Sequence, residues 1–167
     1  MRVEIQGRVA GAPAPARVRR ILTRAKRAAR LDAREVSVLF CADGRMRTLN
    51  RRWRGLDRPT DVLSFPVGSG GASEDGFLGD IVISVPYASR SARRREEPPA
   101  REIDRLLVHG LLHLAGYDHE IDHGEMDALE ARVRGRLGIA ERRRASDGGP
   151  HRAEPARGRG GRRRPRR

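Results

Sequence analysis

Very little in this chain could serve as a covalent staple or a membrane anchor. There is one cysteine, Cys41, in 167 residues. That excludes an internal disulfide and fits a reducing compartment. The longest apolar run, near Leu106 to Ala115, is broken by His and Gly, and it falls well short of the roughly 20 residues of a membrane span. The first ten residues, "MRVEIQGRVA", lack the apolar stretch of a secretory signal. A cytoplasmic protein with no membrane contact and no disulfide partner is the expectation. Aromatic residues make up only 4% of the chain, and apolar content is modest. The length still suffices for one domain with a real core. Lysine is nearly missing, since Lys26 is alone among 36 basic residues. So uniform a bias says little about function, although arginine does suit bidentate phosphate contacts.

Positive charge is abundant, and it is unevenly spread. The formal net charge is +14. Residues 141–167 hold eleven Arg against three acids, a net of +8, and the other 140 residues carry 25 basic and 19 acidic side chains, a net of +6. From Glu141 onward no apolar periodicity remains and Arg, Gly and Pro dominate. The organisation expected is therefore a folded domain over residues 1–140 and a disordered basic tail over 141–167.

Within the domain, "RVEIQ" at 2–6 reads as a short strand. Val18, Ile21, Leu22, Ala25 and Ala29 then share one helical face, entered through Pro13 and Pro15. "EVSVLF" at 35–40 is the clearest strand. A second helix from about Asp43 places Met46, Leu49 and Trp53 at helical spacing. "DVLSFPV" at 61–67 is a strand that Pro66 restricts, "GSGGASEDG" at 68–76 is a loop, and "GDIVISV" at 79–85 is another strand. A short helix from Pro86 to about Arg95 follows. The next helix starts near Ala100 and is apolar almost all round, which predicts a central, buried position. Gly116 suits its C-terminal cap. "DHGE" at 122–125 resembles a capping box led by Asp122, and Met126, Leu129, Val133 and Leu137 line one face of a last helix that Gly138 ends. The order predicts an α+β domain, with a small mixed sheet and helices packed on it.

The buried helix carries the chemistry. In "HGLLHLAGYDH", residues 109–119, His109 and His113 are four apart and share a helix face. Gly116 lets the chain turn out of the helix, so that His119 can return as a third ligand. Three neutral ligands on Zn²⁺ leave a fourth position open, the arrangement of a catalytic site. Such an ion lowers the pKa of a bound water to roughly 7. The histidines and glycine match the H-E-x-x-H-x-x-G-x-x-H frame of zinc proteases, but Gly110 stands where the general-base glutamate belongs. Glu120 and Asp118 are the nearby carboxylates; Asp118 reads either as an orienting partner of a histidine or as a turn residue. His123, in the first turn of the last helix, and His151, in the tail, carry no such pattern. Met126 sits at core spacing rather than in a methionine turn.

A second polar constellation lies in "LNRRWRGLDRPTDVLSFP", residues 49–66. Taken alone it is a helix–turn–strand connection in which Thr60 and Asp61 satisfy turn amides. Together with "LGDIVIS" and the histidine stretch, in this order, it resembles the bacterial YbeY endoribonuclease family over residues 1 to about 140. The resemblance implies a zincin-like α+β fold with a central metal-binding helix and one zinc held by His109, His113 and His119. It implies cleavage of single-stranded RNA, with roles in maturing the 3′ end of small-subunit rRNA and in ribosome quality control. The arginine of the family's aromatic-Arg-Gly motif, implicated in activity, falls on Arg54, with Trp53 where tyrosine is common. Two other readings fit the histidine frame: a metallopeptidase, which Gly110 opposes, and a non-catalytic ribosome-assembly factor with a structural metal. The basic tail lies outside the resemblance.

Overall fold

The structure is a computed structural model that describes residues 1–68, 72–117 and 124–139. Its strands are β1 (Arg2–Gln6), β2 (Glu35–Cys41), β3 (Val62–Pro66) and β4 (Phe77–Ser84), in the sheet order β1-β2-β4-β3. Pairings β1–β2 and β2–β4 are parallel, and β3 runs antiparallel to β4 at the edge. The helices are α1 (Pro15–Ala29), α2 (Asp43–Arg54), α3 (Val85–Arg94), α4 (Pro99–Leu114) and α5 (Glu125–Leu137). The small mixed sheet and the α+β class expected from the sequence are both present.

Alternation along the strands divides the core in two. Val36, Val38, Phe40, Ile81 and Ile83 face one side, where α1, α4 and α5 pack; Leu39, Cys41, Leu63 and Val82 face the other, with Met46 and Leu49 of α2. On β3 the division is sharp, because Val62 joins the first cluster while Leu63 and Phe65 join the second. Cys41 is buried, and that burial pushes its thiol pKa up, as in an inert packing cysteine. Pro66 ends β3 opposite Gly79, where a residue without an amide hydrogen is tolerated on an edge.

α4 is as central as its composition predicts. Ile103, Leu107, Val108 and Leu111 have no exposed surface. Its first half also buries charge, in pairs as low dielectric requires: Arg105 pairs with Glu102 and Glu97, and Arg17 of α1 holds Asp104 through two bonds of 2.7 and 3.1 Å. The helix ends as expected at Gly116, whose φ is +89°. The Gly116 amide donates to the His113 carbonyl and the Tyr117 amide to the Leu112 carbonyl, a Schellman closure. α5 begins differently from the expected capping box. Gly124, with φ +89° and no side-chain cap bond, is its N-cap, while Asp122 lies outside the described residues. Among the described residues no helix is long and apolar enough to cross a membrane.

Candidate metal centre

His109 and His113 project from the last two turns of α4, and their rings meet edge to face with centroids 4.6 Å apart. The two Nε2 atoms are 3.1 Å from each other. Behind His109, its Nδ1 lies 3.1 Å from Oε2 of Glu130 on α5. A carboxylate accepts only, so Nδ1 carries the proton and Nε2 presents its lone pair toward His113. Burial would raise the Glu130 carboxyl, but the hydrogen bond from His109 and the positive charge of Arg134 help carry its pKa below the usual value. Arg134, one turn on, approaches the other carboxylate oxygen at 3.7 Å.

This donor set suits zinc. Two imidazole nitrogens at about 2.0–2.1 Å from one tetrahedral ion stand about 3.3 Å apart, close to the observed 3.1 Å. A ligating histidine whose other ring nitrogen binds a carboxylate is the usual supporting arrangement. Among the described residues no set of three His, Cys, Asp or Glu side chains converges. The third expected ligand, His119, and the possible partner Asp118 lie outside the described residues, as do Glu120 and His123.

Gly110 has a packing explanation. A Cβ there would come 2.9 Å from Cγ2 of Ile81 and 3.1 Å from Oγ of Ser64. Ser64 and Ile81 are cross-strand partners on β3 and β4, facing α4, and the Ser64 hydroxyl donates to the Gly110 carbonyl at 3.4 Å. The zincin glutamate position is thus filled by helix backbone pressed onto the sheet.

Arg54 occupies the last, exposed position of α2. α2 lies across the sheet from α4, so the structure joins His109 to His113 and sets Arg54 on a separate element. The connection after α2 has the helix–turn–strand character read from its sequence. Asp61 Oδ1 accepts from the Thr60 hydroxyl at 3.0 Å and the Val62 amide at 2.9 Å. Buried Asn50 donates to the Arg58 carbonyl at 2.7 Å. Met126 is fully buried in the core cluster.

Glu130 is the site residue that sequence reasoning missed. The signal was present: it falls at i+4 from Met126 and next to Leu129, within the apolar stripe of α5, and it is 7% exposed. A carboxylate in a buried stripe calls for a partner.

A sequence model of the family described as "Endoribonuclease YbeY" matches residues 7–138. A protein named Endoribonuclease YbeY from Anaeromyxobacter sp. (strain Fw109-5) is 49% identical over 129 residues, covering 74% of this chain and 64% of its own length. One of the same name from Methylocella silvestris is 47% identical over 107 residues, 63% of this chain and 60% of its own. Another, from Bradyrhizobium sp. (strain BTAi1), is 41% identical over 131 residues, 74% and 78% respectively. The matched region thus spans less than two thirds of the length of the first two relatives. The solution structure of a Thermotoga maritima protein superposes with a TM-score of 0.53 at 26% identity, covering 81% of this chain and 91% of that one.

Proposed function

Because the chain belongs to the YbeY endoribonuclease family, we propose that residues 1–140 form a zinc-dependent endoribonuclease domain acting on single-stranded RNA. Its substrate is small-subunit rRNA, and its setting is ribosome maturation and quality control in the cytoplasm. The observation that carries this reading is the pair of Nε2 atoms 3.1 Å apart, with Glu130 behind His109. His109, His113 and His119 are the metal ligands. Zinc held there would supply Lewis acidity toward a phosphoryl oxygen and a water more acidic than bulk.

The remaining work falls to the protein. Glu130 holds the Nδ1 proton of His109 and fixes the ring. Three neutral imidazoles leave the site positive, which matches an anionic phosphodiester better than a neutral peptide bond. Arg54 donates charge-assisted hydrogen bonds to phosphoryl oxygens as charge develops on them. The metallopeptidase reading meets the close approach at Gly110, which leaves no room for its glutamate. The basic tail, residues 141–167, lies outside the described residues; its role in this reading is to add sequence-independent affinity for RNA phosphates.

The test is cleavage of defined single- and double-stranded RNA by wild type and His113→Ala, purified identically, with metal content measured. Wild type should cut the single-stranded substrate with about one zinc per chain, and the variant should lose both zinc and cleavage. Equal cleavage by the two proteins would assign the activity to a contaminant. A folded, zinc-loaded wild type that cuts no RNA would favour the assembly-factor reading.

A further inference from the structure

Met46, Leu49 and Trp53 follow the helical spacing of a buried face, yet the series does not end as it begins. Met46 is fully buried, Leu49 partly so, and Trp53 is 61% exposed. The Trp53 ring meets Phe65 of β3 edge-on, with centroids 5.8 Å apart. The Arg52 guanidinium lies over it, 5.3 Å from the centroid. Leu56 and Val67 are the other large apolar side chains exposed among the described residues. Held against Phe65 and beneath Arg52, the exposed indole offers a flat π-face to a ligand.

The surroundings specify the partner. Arg45, Arg47, Arg51, Arg52, Arg54 and Arg58 are all exposed on α2 and the turn after it. The acids of residues 43–58 are Asp43 and Asp57, so the segment carries six positive and two negative side chains, a net of +4. Both acids are already engaged, Asp43 by Arg90 and Asp57 by Arg47. A π-face amid a net excess of guanidinium groups suits a polyanion that itself carries π-faces, which is single-stranded nucleic acid.

The location agrees with the histidine pair. Phe65, beside Trp53, is adjacent to Ser64, which faces Gly110, the residue after His109. The aromatic platform and the histidine helix therefore flank the two faces of one edge strand, β3, which among the described residues pairs only with β4. We propose that Trp53 stacks on a base of the RNA substrate and that the RNA strand bends over the β3 edge between α2 and the histidine pair. This assignment rests on the endoribonuclease reading and adds a base-binding subsite to it.

Trp53 is the chain's one tryptophan, so its emission reports this position alone. The experiment uses the full chain carrying His113→Ala, to prevent cleavage, titrated with a single-stranded oligoribonucleotide and with an abasic ribose-phosphate oligomer of equal length. Anisotropy of a label on each oligomer measures binding separately. The base-bearing oligomer should quench the emission and the abasic one should not. Replacing Trp53 with Ala in the same background should weaken binding of the base-bearing oligomer about 5- to 100-fold, while Trp53→Phe keeps most of the affinity. Binding with no base-dependent quenching overturns the platform and leaves the endoribonuclease reading standing. No binding of either oligomer at low salt, by this variant and by zinc-loaded wild type alike, overturns both. Because the quenching arm uses an intact Trp53, a poorly folded Trp53→Ala protein would not rescue the proposal.

Discussion

Glu130→Ala removes the carboxylate that accepts from Nδ1 of His109, and its expected effect on zinc binding follows from the geometry. His109 keeps its place on α4 but loses the hydrogen bond that fixes both its tautomer and its ring angle. In water a neutral imidazole populates both tautomers, and the one protonated on Nε2 cannot ligate from that atom. The supporting partners of metal-binding histidines are typically worth about 10- to 100-fold in affinity, or about 1.4–2.7 kcal/mol. The cost to the metal-free fold should be smaller. Glu130 is a buried carboxylate whose desolvation offsets much of its attraction to His109 and Arg134. Glu130→Gln retains an acceptor oxygen and loses the charge, so its zinc affinity should fall by less than that of Glu130→Ala. The assay is competition between metal-free protein and a chromophoric chelator, alongside thermal melts without metal. If wild type binds one zinc and Glu130→Ala binds it within twofold, the orienting role is refuted. If Glu130→Ala unfolds without metal, and Glu130→Gln melts normally yet binds zinc like wild type, Glu130 is structural.

Gly110→Ala should destabilise the fold by about 1–2 kcal/mol despite alanine's better helix propensity, because the new methyl meets a β-branched side chain on a strand; an unchanged or higher Tm would refute the close approach to Ile81. Arg30 is exposed at the end of α1 with φ +59° and ψ +37°, and Arg30→Gly should raise stability by about 0.5–1 kcal/mol by relieving left-handed strain, as read from chemical denaturation; a fall in stability would show that the arginine side chain outweighs its backbone cost. Deleting residues 141–167 should flatten the dependence of RNA affinity on salt, by about 0.7 in log–log slope for each phosphate that the tail neutralises; an unchanged slope would make the tail a passive solubilising segment.

Elements whose signals are local were legible in the sequence. The stripe Val18, Ile21, Leu22, Ala25 on α1, the β-branched run of β2 and the closing role of Gly116 all depend on residues near one another in the chain, and each is present as expected. The histidine spacing likewise placed His109 and His113 on one face. What escaped depends on neighbours distant in sequence. Glu130 acquires its role only when α5 folds back along α4. Gly110 is explained by Ile81 and Ser64, on two strands that the chain reaches 29 and 46 residues earlier. Trp53 fits the periodicity of a buried face, but no pattern within α2 tells that this helix ends against an edge strand. At α5 the capping-box pattern misled because a glycine in left-handed conformation directly precedes Glu125 and takes the N-cap position itself.

The antiparallel strand β3 has a bearing on self-association. An uncovered strand edge ordinarily offers its amides and carbonyls to another chain and templates aggregation. Here the β3 edge, which among the described residues has no further strand beside it, is five residues long and terminates in proline, so it offers few consecutive donors to a copy of itself. The exposed arginines on the neighbouring helix add like-charge repulsion between two such edges. A sheet margin of this kind can stay open to a polyanion while remaining a poor template for other sheets.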